Sequence, residues 1–403
     1  MTPKGWTETR FGNAFVKRTE RGRAGLPTMS VTINDGLVFR DSIDRKMDTN
    51  LLAEEHLLVQ KGDIAYNMMR MWQGASGLAE ADALVSPAYV VLRPTAAIDP
   101  LFAAYLFKHP RTIYLFWAYS YGLTEDRLRL YFDDFSLIPI CLPPIFEQRK
   151  IAEILFTWDR AIEKVHELIA NARTKKLALS QRILPIDGRT PKARLAGFSG
   201  EWAKTTLGSR GGFRKGKAVA RSDAKAQGIP CVRYGEIYTH HNDVIHTFNS
   251  FIDEASALQS EPLRPGDILF ACSGETAEEI GKCVAFIGKH EAYAGGDIII
   301  FNPEQDDPVF LAYLLNSSPV AVQKAQFGQG NSVVHISATN LAKLKIAVPT
   351  REEQTAIGEL FLAADRGILS LTAQLASLRE EKSALMQQLL TGKRRVKIGG
   401  DFA

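Results

Sequence analysis

Two clusters of basic residues are the first groups in this chain whose type and spacing could do chemistry. Lys17, Arg18, Arg21 and Arg23 are opposed only by Glu20. Between Lys204 and Lys225, the residues Lys204, Arg210, Arg214, Lys215, Lys217, Arg221 and Lys225 face a single acid, Asp223. Such clusters can neutralise phosphates. Base edges need arginine, asparagine or glutamine in reach of a groove. By residue type the candidate DNA contacts are Arg18, Arg21, Arg23 and Arg70 in the first part of the chain, and Arg214, Lys215, Lys217, Arg221 and Arg233 in the second. The segment FGQGNS (Phe327 to Ser332) adds Gln329 and Asn331 between glycines that permit close approach.

Other chemistries fit less well. A DNA amino-methyltransferase needs an Asn/Asp-Pro-Pro-aromatic loop to hold the flipped base, and the one Pro-Pro here, Pro143-Pro144, follows Leu142. GGFRKGKA (Gly211 to Ala218) comes within one residue of a phosphate loop, but Ala218 lacks the hydroxyl that would meet magnesium and no apolar strand leads in. It reads as a flexible basic loop. His240, His241, Asp243 and His246 fit no common metal spacing and read as a polar surface turn. No nucleophile is flanked by a base. Catalytic and metal residues are therefore expected to be absent, and the chain is expected not to be an enzyme.

The bulk properties agree with this reading. The chain has 403 residues, a net charge of +4, and 45% hydrophobic residues, as in folded proteins of two or three domains. Cys141, Cys231, Cys272 and Cys283 show no paired spacing, so free thiols are expected. There is neither a membrane-length apolar run nor an apolar core near Met1. A cytoplasmic protein with no membrane partner is expected.

The elements that must position the basic residues are duplicated. Trp6 and Gly12 reappear as Trp202 and Gly208, and Leu26-Pro27 as Ile229-Pro230. Lys61-Gly62-Asp63-Ile64 reappears as Pro265-Gly266-Asp267-Ile268, Val91 to Pro94 as Ile300 to Pro303, and Pro143 with Glu147-Gln148 as Pro349 with Glu353-Gln354. The offsets stay between 196 and 209, which identifies a two-fold internal repeat.

Each repeat ends in a heptad seam. Ile151, Leu155, Trp158, Ile162, Val165 and Ile169 carry the first, which continues through Lys176. Ile357, Phe361, Ile368, Leu371, Leu375 and Leu378 carry the second, which continues through Lys382. Steps alternating four and three predict two long coiled helices. Prolines precede both, and Gly188 and Gly392 follow them. The glycine- and proline-rich link from Pro185 to Gly200 is too short to run back along a rod of about 60 Å without nearly full extension, so the helices are expected to be antiparallel.

The expected fold is α+β: two pseudo-symmetric mixed domains separated by two long antiparallel coiled-coil helices. The segments are 1–142 and 186–348 for the domains, the latter including its linker. The helices take 143–185 and 349–392, and a basic tail takes 393–403. Strands are expected at Asp63–Tyr66, Tyr89–Leu92, Asp267–Ala271, Cys283–Ile287 and Asp297–Phe301, and helices at Pro100–Phe107 and Pro308–Gln326.

The junction Leu142-Pro143-Pro144-Ile145-Phe146-Glu147-Gln148-Arg149-Lys150-Ile151 resembles that of type I restriction–modification specificity subunits. The second copy, Val348 to Ile357, departs from it at Thr350, where the family has a second proline. The resemblance implies two target-recognition domains, each reading one half of a bipartite double-stranded DNA target, with the helices as a ruler. It implies partnership with two methyltransferase subunits and two restriction/translocase subunits. S-adenosylmethionine would sit on the former, ATP and magnesium on the latter, and no cofactor on this chain. The alternative from residues alone is a tandem-domain protein scaffold without DNA specificity.

Overall fold

The computed structural model describes residues 2–43, 51–185, 191–219, 221–330 and 333–396, apart from the side chains of Glu125 and Arg221. The chain divides into two compact units, Met1–His166 with Ala373–Ala403, and Glu167–Thr372. This differs from the segmentation above, in which the helices stand apart from the domains. Each long helix instead gives one half to each unit.

The first unit is built on a four-stranded antiparallel sheet in the order Phe15–Arg18, Tyr89–Pro94, Ile64–Asn67, Ser76–Leu78. The central strands are buried on both faces (Ile64, Ala65 and Tyr66; Val90, Val91 and Leu92), which explains their unbroken apolar runs. One face packs on Phe11, Phe15, Phe107, Phe116 and Phe135, all fully buried, with Phe11 and Phe135 stacked at 4.7 Å. The helix Pro100–Phe107 begins where predicted, because Asp99 Oδ1 accepts from the amides of Leu101 and Phe102 at 3.0 Å and proline takes the first turn. Strand Thr7–Arg10 pairs antiparallel with Pro139–Leu142, so the chain segments that open and close the domain lie side by side.

The second unit repeats this plan. Its main sheet runs Gly211–Lys215, Ile298–Pro303, Ile268–Ala271, Cys283–Ala285, and its base pairs Ala203–Thr206 with Lys345–Val348. It adds a second four-stranded sheet around Ile229–Val232. Two expectations are corrected. The helix predicted over Pro308–Gln326 is two helices, Pro308–Asn316 and Ser318–Phe327: Ser317 is extended between them, and Pro319 has no amide proton with which to continue the first helix but fits the first turn of the second. GGFRKGKA is not a flexible loop throughout. Gly211–Lys215 is the edge strand of the sheet, and Gly216 lies so close to Gly295 that a Cβ would come within 2.1 Å of its carbonyl oxygen.

The long helices span Ile145–Ile183 and Arg351–Leu389, 39 residues each, or about 58 Å. Every named seam residue is buried or half-buried. Within the first unit, Ile151, Ala152 and Leu155 share a core with Leu389 and Leu390; within the second, Ile183 and Leu184 share one with Ile357 and Phe361. The start of one helix thus meets the end of the other, which is the antiparallel arrangement.

The Glu-Gln pair at each helix start has a structural role. Gln148 accepts from the Asp99 amide (2.9 Å) and donates to the carbonyls of Ala97 and Pro143. Gln354 accepts from the Asp307 amide (2.8 Å) and donates to Asp306 and the Pro349 carbonyl. Glu147, buried, takes a two-pronged ion pair from Arg395, with Nε at 2.6 Å and Nη2 at 2.7 Å. Glu353 takes the same from Arg194. Each arginine comes from the segment that follows the opposite helix. The start of the expected basic tail is therefore a docked element as far as Arg395, and 397–403 lies outside the described residues.

Candidate nucleic-acid interface

Arg18 and Arg214 are corrected first. Arg18 is buried, its Nε 2.6 Å from Asp63 and its Nη1 2.8 Å from Glu20. Arg214 occupies the twin position, bonded to both carboxylate oxygens of Asp267 and, through Nε at 3.1 Å, to Glu261. The same carboxylates also accept the amides of Gln60 (2.9 Å) and Arg264 (2.7 Å). The repeated Gly-Asp-Ile is thus a turn whose aspartate ties the first strand of the sheet to the third. These arginines are committed to that tie and are not free to meet DNA. Arg233 is likewise engaged, by Glu236 at 3.1 Å and by Ser250.

The remaining candidates are placed as follows. Arg21, Arg23 and Arg70 are exposed; Arg21 donates to the Glu55 carbonyl, Arg23 lies 3.7 Å from Asp82, and Arg70 donates to Gln73. Lys215 and Lys217 are exposed at the end of the edge strand, the latter 3.1 Å from Glu261. Gln329 is exposed. Asn331 and the Arg221 side chain lie outside the described residues. The His240 to His246 stretch is not simply a surface turn. His241 is buried with Nε2 unpartnered among the described residues, and burial, with repulsion from His240 added, pushes it down to about 4. Asp243 is held by Lys176 (2.9 Å) and Asn316 (3.0 Å).

One edge of each domain brings several exposed groups together on a rigid base. In the second unit, Gln329 pairs with His335 as an isolated bridge, the Ile336 amide donates to the Cys272 carbonyl at 3.0 Å, and His335 Nδ1 lies 3.0 Å from Ser273 Oγ, its cross-strand partner. In the first unit, Tyr121 pairs with Arg129, and the Leu130 amide donates to the Met68 carbonyl at 3.0 Å. The FGQGNS loop therefore has a counterpart that residue type alone did not single out, Gly122 to Leu128. It could have been found by position, because each loop is separated by one short helix from the strand that leads into a proline junction.

Inward-turned lysines pin the turns beside these loops. Lys108 donates to the carbonyls of Gly74 (2.8 Å) and Ile33 (2.9 Å), and burial pushes it down to about 8. Lys324, fully buried, donates to the Gly281 carbonyl at 2.7 Å and is lowered by the same cause. Among the described residues no group of three or more His, Cys, Asp or Glu could hold a metal, and no helix is long and apolar enough to cross a membrane.

Comparison with known proteins agrees with this duplicated plan. The family "Type I restriction modification DNA specificity domain" matches residues 30–171 and 200–378. The chain is 23% identical over 360 residues to the type I restriction enzyme MjaVIII specificity subunit of Methanocaldococcus jannaschii, covering 86% of this chain and 82% of that one. Its fold is similar to that of the type I restriction–modification system S subunit from M. genitalium, with a TM-score of 0.59, 18% identity, and coverage of 96% and 99%. It is also similar to a chain from a structure on complex assembly and conformational transition of the type I R-M system, with a TM-score of 0.57, 17% identity, and coverage of 98% and 100%.

Proposed function

Because the chain belongs to the family of type I restriction–modification specificity subunits, and is thus a DNA-recognition subunit, we propose that each of its domains reads one half of a split double-stranded target. The observation that carries this is the duplicated edge: one backbone frame presents Arg70, Arg127 and Arg129 in the first domain and Gln329 and His335 in the second. Two readers of different half-sites need a shared frame with different tips. Phosphate contacts from Lys215, Lys217, Arg21 and Arg23 would set register without carrying sequence information.

The long helices serve as the ruler between half-sites, since each is continuous from residues of one unit into residues of the other. In this reading the chain supplies recognition and geometry only. Methyl transfer from S-adenosylmethionine belongs to two methyltransferase partners, and ATP- and magnesium-dependent translocation to two restriction partners. The setting is intracellular, where such DNA is found.

Co-expression with a type I methyltransferase subunit that assembles with it, followed by mapping of adenine methylation, tests the proposal. Methylation within one motif of two short halves around a fixed gap is the expected result. An assembled complex that methylates nothing would favour the protein-scaffold alternative.

A further inference from the structure

We propose that the loop Gly122–Leu128 is the base-reading loop of the first domain, with Leu123 as its apolar contact and Arg127 and Arg129 as its hydrogen-bonding readers. The inference rests on the DNA-reading function above and assigns it to residues that composition did not single out.

The loop is held open by a frame built like that of its twin. Tyr121 and Arg129 close its neck as Gln329 and His335 close the other, and Leu130 and Ile336, both buried, bond the matching carbonyls of Met68 and Cys272. A glycine lies against the returning strand in each: a Cβ on Gly122 would come within 2.6 Å of the Arg127 carbonyl oxygen, and one on Gly330 within 2.0 Å of that of Val333. Frame and glycine are thus shared while the tips differ.

The first tip sets an apolar side chain beside two arginines. Leu123 is 96% exposed, the most exposed large apolar side chain among the described residues. A leucine left wholly in water gains nothing for the fold. Tyr121 is 65% exposed beside it, and a cavity of about 450 Å³ behind the tip is lined by Trp117, Ser120, Leu123 and Leu128. Arg127 and Arg129 are exposed, and neither guanidinium has a partner among the described residues, in contrast to Arg18, Arg214 and Arg233. Arg70 stands on the adjoining turn, two residues from the Met68 carbonyl that anchors the loop. The loop also carries two acids, Glu125 and Asp126, and among the described side chains Asp126 is exposed.

An apolar tip flanked by unpaired arginines matches duplex DNA. Arginine reads guanine O6 and N7 in the major groove, and an aliphatic group packs on the thymine methyl or wedges at a base step. A protein partner would meet the same leucine but would have no use for two arginines whose loss changes one half of a DNA motif. That difference makes the assignment testable.

The experiment uses the whole methyltransferase complex with Arg127→Gln, Arg129→Gln and Leu123→Ala, and His335→Ala as the twin control. Methylation is mapped over a library of randomised targets. The wild-type motif must first appear split, which tests the underlying function separately. In at least one loop variant, discrimination at one or two positions of a single half-site is expected to fall roughly tenfold or more. The control should relax only the other half. Where a variant methylates too little to map, binding of the same complex to duplexes varied within each half gives the same readout. Loop variants that keep the wild-type preference at every position in both halves would overturn the proposal, as would equal relaxation of both halves.

Discussion

Lys176 Nζ lies 2.7 Å from the Asp365 carboxylate, and the same ammonium stands 4.9 Å from the centre of the Tyr313 ring, whose hydroxyl donates to Asp365. Lys382, Asp159 and Tyr105 repeat the arrangement in the first unit. The lysine that interrupts each seam thus fastens one long helix to the other and to the domain helix beneath. The two copies are unequal, because Lys176 also meets Asp243, and both of its carboxylate partners are only 16% exposed while Asp159 is 41% exposed. Lys176→Met should therefore cost about 3 kcal/mol, as expected when buried carboxylates lose their cation. Lys382→Met should cost clearly less. Urea melts of the two variants decide it, and equal losses would contradict the asymmetry. The Asp243 and Asp365 carboxylates raise Lys176 above 10.5 despite its burial, so this stabilisation is fully present below that pH and disappears only as pH rises past the raised value.

His241 predicts a pH effect of the opposite sense. Its folded pKa is pushed down to about 4 from 6.5, so the unfolded chain binds the proton first. Stability should be full above pH 6.5, fall as pH drops from 6.5 to 4, and level off below that. The contribution is about 3 kcal/mol at most. His241→Leu should flatten this part of the profile in thermal melts, and an unchanged slope would exclude His241 as the source.

The arginines of the Gly-Asp-Ile turns and the lysines of the edge strand should separate cleanly. Arg18→Met leaves Asp63 buried without its cation and should lower the melting temperature by several degrees. Lys215→Ala should leave stability within about 0.5 kcal/mol while reducing the salt dependence of DNA binding by about one unit of slope. A stable Arg18→Met protein with a reduced salt slope would reverse the assignment.

Helix length gives a prediction in base pairs. Removing one heptad from each long helix, in register, shortens the pair by about 10 Å. The gap in the methylated motif should then shrink by about 3 base pairs at the rise of B-form DNA. A motif with its gap unchanged would sink the ruler.

The repeat, the helices and their direction were legible in the sequence because each rests on spacing, and spacing survives where side chains diverge. The helix expected from Pro100 begins at that residue. The interface was less legible for a physical reason. Arginine at position 18 looks the same in the sequence whether it faces DNA or Asp63, and only the fold shows that the Gly-Asp-Ile aspartate claims it. The converse holds for Leu123, an apolar residue that the fold leaves in water. His241 misled in the same way, a polar residue taken for surface that the fold buries.

The paired base strands carry a consequence of their own. Thr7 faces Leu142 in one domain and Ala203 faces Val348 in the other, each the first of four matched pairs. Everything from residue 11 to 138, or from 207 to 344, is therefore a cassette plugged into a two-pronged socket, and both sockets have the same gauge. A foreign segment, or the chain's own other cassette, could be spliced between the prongs with the junction glutamates and the seam left in place, provided that the insert keeps the tyrosine beneath each lysine. New targets would then arise by exchange of whole inserts between related chains as readily as by point substitution within one.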